Sequence, residues 1–192
     1  MPSQTPGEIS GKRARTRARL VEAAAEMFAE RGFHGATLAD VAARAAMTTG
    51  AIYGNFKSKE ELFLAIFEAP ASGVDVQFRE GATLKEQMRR LGEATVAFIP
   101  TAKARGALFA EFQIYVQTHP DMQAEVERRA LANAARLAEA WRGAIRDEDI
   151  GMQLEQFVVV IDALIGGLIS QRLLTPSVVT DETIIAAFEA LA

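Results

Sequence analysis

The 192-residue chain is 49% hydrophobic and 24% charged, a balance that suits a globular protein able to bury its core without disulfides or a structural metal. It has no cysteine and only two histidines, His34 and His119. That excludes a disulfide framework, a thiolate metal site and a cysteine nucleophile, and it argues against a histidine-built metal site, so no metal and no cofactor is expected. The net charge of −4 is unevenly spread: residues 1–59 hold nine Lys/Arg and five Asp/Glu, residues 60–192 twelve and twenty. A basic N-terminal end suits a face that meets a polyanion, although chance variation along a chain produces the same imbalance.

In chain order, residues 1–12 carry Pro2, Pro6, Gly7 and Gly11 without periodicity and read as a mobile tail. The arginine-rich run that follows has no apolar h-region, unlike a signal peptide. From about Arg13 the pattern is helical, with Leu20, Ala24, Met27 and Phe28 on one stripe and a stop at Gly32. Thr37 with Asp40 forms a capping-box-like start, after which Leu38, Val41, Ala42 and Ala45 face inward. Met47 and Thr48 interrupt, and a short helix follows from about Thr49 to Asn55 with Ile52 and Phe56 inside. Ser58 and Glu61 make a fuller capping box that opens a helix on Leu62, Phe63, Ile66 and Phe67.

Residues 70–82 read as a connection and Thr83 as the next N-cap. Helices are then expected at 84–99, ending at Pro100, and at 102–118, 121–143, 152–174 and 182–191. The most apolar stretch, Phe157 to Ile169, is interrupted by Asp162 and too short to span a bilayer. No segment alternates as a half-buried strand does. The expected fold class is therefore all-α, with about nine helices: a three-helix helix-turn-helix module followed by a helical bundle. The chain divides into a tail at 1–12, a helix-turn-helix domain at 13–68 and a larger helical domain at 69–192.

Two short helices joined by a tight turn, with a longer one in front, form a compact helix-turn-helix. The second short helix has the length to enter a major groove about 12 Å wide. Thr48, Thr49, Gly50 and Ala51 stand at its N-terminal end, where small side chains let backbone approach DNA. The run Ala36-Thr37-Leu38-Ala39-Asp40-Val41-Ala42, followed by Gly50-Ala51-Ile52-Tyr53-Gly54-Asn55-Phe56-Lys57-Ser58-Lys59-Glu60-Glu61-Leu62, closely resembles the DNA-binding domain of TetR-type repressors over about residues 13–68.

The resemblance implies a homodimer that binds a palindromic double-stranded operator and is released by a small-molecule effector. It also implies DNA contacts. Thr37 would hold a phosphate, besides acting as a plain N-cap. Thr48 and Thr49 would meet bases or phosphates, unless they act only as helix caps, Thr49 standing where many relatives carry lysine. Tyr53 would direct its phenol to a phosphate, the other reading being a half-buried core aromatic; Asn55 would bond a base or phosphate; and Lys57 would contact a phosphate, the other reading being a solvated surface lysine. The cluster Lys12, Arg13, Arg15, Arg17 and Arg19 reads either as a DNA-reaching arm or as a solvated helix start.

Beyond residue 69 the resemblance is at the level of fold. Phe98, Phe109, Phe112, Tyr115, Trp141 and Phe157 are candidates to line an apolar effector pocket, each also explicable as core. Asp162, set in an apolar run, needs a partner: it faces either the dimer seam, with Arg172 of a second copy as one candidate, or a pocket that would then prefer a cationic ligand. Gly166-Gly167 sacrifices helix propensity and permits close helix approach. With Leu164, Leu168, Ile184 and Phe188 these residues read as a four-helix seam across a two-fold axis.

Two other functions remain. One is a TetR-like DNA-binding protein controlled by a protein partner instead of a small molecule. The other, least favoured, is a small helical enzyme. Neither histidine belongs to a His-Glu-x-x-His motif and no glycine loop cradles phosphate, so no catalytic residue is expected. A cytoplasmic protein with no membrane contact is the expectation.

Overall fold

The computed structural model describes residues 6–67, 76 and 78–192, with side chains from residue 11 onward. Among the described residues there are nine helices and no strand. They are α1 (Pro6–Gly35), α2 (Leu38–Arg44), α3 (Thr49–Tyr53), α4 (Lys59–Ile66), α5 (Leu84–Thr118), α6 (Pro120–Trp141), α7 (Asp147–Ile150), α8 (Leu154–Leu174) and α9 (Asp181–Glu189).

Three boundaries differ from the sequence expectation. The first is that α1 begins at Pro6, inside the supposed tail. Proline is tolerated in a first turn, where its missing N–H would have no partner. A helix already anchored by buried Leu20, Ala24 and Phe28 then extends one hydrogen bond per residue. The second is that Pro100 lies within α5 instead of ending it. An interior proline costs about 3 kcal/mol, yet buried residues flank it, Leu91 and Thr95 before and Leu108 and Phe112 after. The third is α7, a single turn ended by Gly151 at φ 67°. Its Asp147 carboxylate accepts the Leu154 N–H at 3.1 Å and so starts α8. Two expected helices merge and one short helix is added.

The chain forms two compact units. One holds the residues up to 68 together with 107–118; the other holds 69–106 and 119–192. A linear division between 68 and 69 therefore omits the segment 107–118, which packs with the first unit.

In the first unit α1 packs on α2 and α4, and α2 on α3. Leu20, Ala24, Phe28, Val41, Ala42, Ile52, Phe56, Leu62 and Phe63 form the core, each at most 1% exposed. α1 breaks where expected: Gly32 has φ 72°, ψ 164°, backbone that glycine adopts without the Cβ penalty. Phe63 stacks on Phe33 with centroids 4.4 Å apart and meets Phe28, Phe112 and Tyr115 edge-on at 5.6, 5.0 and 6.1 Å.

In the second unit α6 and α7 pack on α8. Met88, Leu91, Ala138, Trp141, Leu154, Phe157, Ile161, Ile184 and Phe188 form its core. Buried Gln87 spends neither end of its amide idly: Nε2 donates to the Arg79 carbonyl at 2.6 Å and Oε1 accepts the Arg79 N–H at 3.0 Å. α8 is by length and composition alone apolar enough to cross a bilayer, which the shorter stretch 157–169 considered by itself did not suggest. One face of it, through Val159, Val160, Ala163, Gly166, Gly167 and Ser170, is exposed in the single chain.

Candidate nucleic-acid interface

The helix-turn-helix is built by local caps. At the start of α2, Thr37 and Asp40 form the expected capping box. The Asp40 N–H donates to the Thr37 hydroxyl at 3.2 Å, and the Thr37 N–H donates to the Asp40 carboxylate at 3.0 Å. The Thr37 hydroxyl itself donates to Asp40 at 2.6 Å. These hydrogen bonds from Thr37, side chain first and backbone second, hold the Asp40 carboxyl below its usual range. The turn to α3 passes through Ala46 at φ 52°, a left-handed conformation that costs a residue with a Cβ about 1–2 kcal/mol. The Met47 N–H donates to the Ala42 carbonyl at 2.8 Å and closes that turn.

α3 opens on Thr48, whose hydroxyl accepts the Ala51 N–H at 3.2 Å. Its inner side is Ile52, fully buried, continued by Phe56 at 1% exposure, while Tyr53 is 59% exposed. Thr48, Thr49 and Gly50 are also exposed, and Ala51 is half-buried. The outer side of α3 is thus a polar strip of hydroxyls and bare backbone ending in a phenol. Asn55 does not join it through its amide, because Nδ2 donates to the Ala51 carbonyl at 2.8 Å and terminates the helix. Lys57 is exposed; its backbone N–H donates to Glu61 at 2.7 Å, while the Ser58 hydroxyl accepts the Glu61 N–H at 3.1 Å. The expected box at Ser58 is therefore present with its carboxylate turned one residue further back.

Three of the α1 arginines fit neither of the two readings open to them. Arg19 donates to the Ala45 carbonyl at 2.9 Å, Arg13 to Gly54 at 3.4 Å and Arg17 to Asn55 at 3.4 Å. Arg17 also lies 4.3 Å over the Phe56 ring. These carbonyls end α2 and α3, where the helix dipole favours cations. The arginines clamp both short helices to α1, and a charge run in sequence cannot announce that because its acceptors are backbone atoms more than 25 residues away. Lys12 and Arg15 are exposed.

Arg44 pairs with Glu30 at 2.6 Å and with Glu26 at 3.4 Å. The Glu30 hydrogen bond raises the arginine pKa, and Arg44 in turn lowers that of Glu30. The carboxylates are largely solvated, so water screens the pair and it adds little to stability.

The six aromatic residues taken together as an effector lining are not one set. Phe109, Phe112 and Tyr115 belong to the first unit, where Phe109 and Phe112 contact Phe67, at 5.8 and 4.3 Å, and Tyr115 meets Phe33 at 4.8 Å. Trp141 and Phe157 are buried in the core of the second unit with Phe98 packed against it. Aromatic content alone cannot separate these groups, because both lie on long helices.

The seam residues divide in a similar way. Ile184 and Phe188 are fully buried within their own chain, and Leu164 and Leu168 pack partly against the same core. Arg172 is engaged within its own chain, donating to the Val179 and Pro176 carbonyls and to Asp181 at 2.7 Å. Asp162 stands on the exposed side of α8, and desolvation by neighbouring apolar groups pushes its carboxyl above the usual range.

Residues 20–66 match the model of the tetR family of bacterial regulatory proteins. The HTH-type transcriptional regulator UidR of Escherichia coli is 27% identical over 135 residues, 70% of this chain and 69% of that one. The HTH-type transcriptional activator FasR of Mycolicibacterium smegmatis is 33% identical over 115 residues, 58% of this chain and 52% of that one. Both are transcriptional regulators, not enzymes. Among solved structures, Salmonella enterica GusR superposes with a TM-score of 0.64 at 22% identity, covering 92% of this chain and 95% of that one. An exposed α3 behind a capped α2, within a match that runs from the middle of α1 to the end of α4, leaves one assignment for that segment: residues 20–66 are a helix-turn-helix of the kind found in the tetR family of bacterial regulatory proteins, in a chain similar to HTH-type transcriptional regulators.

Proposed function

We propose that the protein is a repressor that binds a palindromic double-stranded operator as a homodimer and leaves it when a small molecule occupies the second unit. The observation that carries the DNA-reading part is the two-sidedness of α3: Ile52 is fully buried while Tyr53, the next residue, is 59% exposed. Thr48, Thr49 and Gly50 would meet base edges or phosphates, and Thr37, Tyr53 and Lys57 would hold the backbone. Asn55 is left with its amide oxygen for any such contact. Tyr53→Phe and Lys57→Ala are expected to weaken binding to all duplexes alike, and Lys57→Ala to reduce the salt slope by about one. Thr49→Ala is expected to change the preferred sequence. Footprinting of fragments selected from the source genome, at two salt concentrations, tests both; uniform, salt-sensitive binding with no preferred site sinks the reading.

The homodimer rests on α8. Gly166 and Gly167 are exposed, and a Cβ at either would meet nothing within 4 Å, so the chain's own packing gives no reason for glycine there. With Val159, Val160 and Ala163 they form an apolar strip of small residues, suited to close approach of the same strip on a second copy. Asp162, beside the strip, would lie at its edge. Gly166→Arg is expected to yield a folded monomer by sedimentation with unchanged helical content; a dimer that survives the substitution rules out this seam.

For the effector, the lining would be limited to Phe98, Trp141 and Phe157, the three that share the core of the second unit. A compound that raises Tm and releases the operator at the same concentration is the expected finding, since coupling between two sites is reciprocal. The name of FasR favours a second reading, activation, which a promoter fusion with and without the gene separates from repression. A regulator of chromosomal promoters works in the cytoplasm, where its operator is.

A further inference from the structure

The corner between α1 and α2 is held by two charged side chains that come from elsewhere in the chain. After the break at Gly32, the Phe33 N–H donates to Glu111 Oε1 at 2.9 Å. On the other side of the same residue, Lys59 Nζ donates to the Phe33 carbonyl at 2.8 Å and to the Ala36 carbonyl at 3.2 Å. The ammonium also lies 4.4 Å over the Phe33 ring. A Cβ on Gly32 would come within 3.4 Å of Glu111 Oε1, so the carboxylate rests directly against the break.

A positive-φ glycine gives the chain freedom to turn but does not fix the turn. The next local restraint is the Thr37 cap, which organises α2 but does not aim it. Between them, Glu111 holds the Phe33 N–H and Lys59 holds the Phe33 and Ala36 carbonyls. Lys59 opens α4, within the matched 20–66 segment; Glu111 lies far outside it, on the last turns of α5 that belong to the first unit. Charge-assisted hydrogen bonds of this kind are about twice as strong as neutral ones.

We propose that Glu111 is a positioning residue for DNA recognition: with Lys59 as the opposing jaw, it fixes the angle at which α2 and α3 leave α1. The inference rests on the reading of α3 as the helix that meets DNA. It makes recognition depend on a side chain that touches no DNA and lies outside the matched segment 20–66.

Two variants of the full-length protein test it. Glu111→Gln keeps a carbonyl oxygen for the Phe33 N–H; Glu111→Leu keeps bulk and removes the acceptor. On the selected operator, Glu111→Leu is expected to lose about tenfold in affinity, while Glu111→Gln stays within about threefold. On a random duplex of equal length, where the basic surface alone acts, both variants are expected to match the parent. In amide spectra, the resonances of residues 37–53 are expected to move in Glu111→Leu and to stay in Glu111→Gln.

Equal losses on both duplexes, or equal losses in both variants, overturn the positioning role. A parent protein with no preferred site removes the premise and the proposal with it. The spectra tell that case from a failed clamp: the 37–53 resonances then still move in Glu111→Leu, whereas a failed clamp leaves them in place.

Discussion

Phe63→Ala is expected to destabilise the first unit by about 3–5 kcal/mol, the range for deleting a large buried aromatic ring. Phe63 is fully buried, and its ring is the hub of a cluster fed by α1, α4 and the end of α5. Phe33 stacks on it at 4.4 Å, Phe28 and Phe112 meet it edge-on, and Phe67 lies 5.7 Å away. Each neighbour is itself a rigid ring, so the space left by the deletion closes poorly and the cavity contribution stays near its maximum. A whole domain is stable by only about 5–15 kcal/mol, so the variant is expected to be partly unfolded at growth temperature. Urea unfolding of the full chain, followed by far-UV circular dichroism, measures it; a loss below about 1 kcal/mol would mean that the cluster is not tightly packed. A double-mutant cycle with Tyr115→Leu is expected to show coupling of about 0.5–1.5 kcal/mol, which ties the segment after residue 106 to the helix-turn-helix energetically.

The second large effect is expected at Gly92, where α5 meets α9. A Cβ there would come 2.9 Å from the Ile185 Cα and 3.3 Å from Phe188 Cδ2. The first of these is backbone, and Phe188 is fully buried, so neither can give way without moving α9. Overpacking of a dense core costs about 1–3 kcal/mol, whereas replacing a mid-helix glycine by alanine gains about 1 kcal/mol of helix propensity. Gly92→Ala is therefore expected to be mildly destabilising. Gly92→Val, with two further methyls and a smaller propensity gain, reaches the top of the overpacking range. The Arg89–Glu189 ion pair at 2.9 Å also links the two helices, but a pair open to solvent is too weak to offset the clash. Thermal unfolding of both variants checks the order; a valine variant as stable as the parent means that α9 shifts freely.

The all-α architecture was legible because apolar spacing, capping residues and glycine stops all act within a few residues of one another. Thr37 with Asp40, Thr48, the break at Gly32 and the inward set Leu38, Val41, Ile52 and Phe56 are local in this sense, and the structure shows each as expected. What the pattern could not reveal are bonds between residues distant in sequence. An interior proline ends most helices, but Pro100 lies within α5, with buried residues on both flanks. Arg13, Arg17 and Arg19 look like a DNA-directed charge run until their acceptors, carbonyls at the ends of α2 and α3, are in view. Ile184 and Phe188 have the spacing of a seam, but that same spacing buries them within their own chain. Phe112 and Tyr115 look like pocket residues for a comparable reason: a ring in a sequence does not show which other rings it meets.

The sharing of α5 between the two units bears on how regulators of this kind are recombined. A chimera that grafts residues 6–67 onto a foreign sensing module would bring α1 to α4 but leave behind Glu111, Phe112 and Tyr115. The transplanted helices would keep their sequence and lose three of the partners that support Phe33 and Phe63. Exchange at a single cut is therefore expected to yield poorly soluble hybrids, and grafts that also carry 107–118, or a recipient helix recoded to Glu, Phe and Tyr at those three positions, to yield well-behaved ones. In this chain the transferable part is discontinuous.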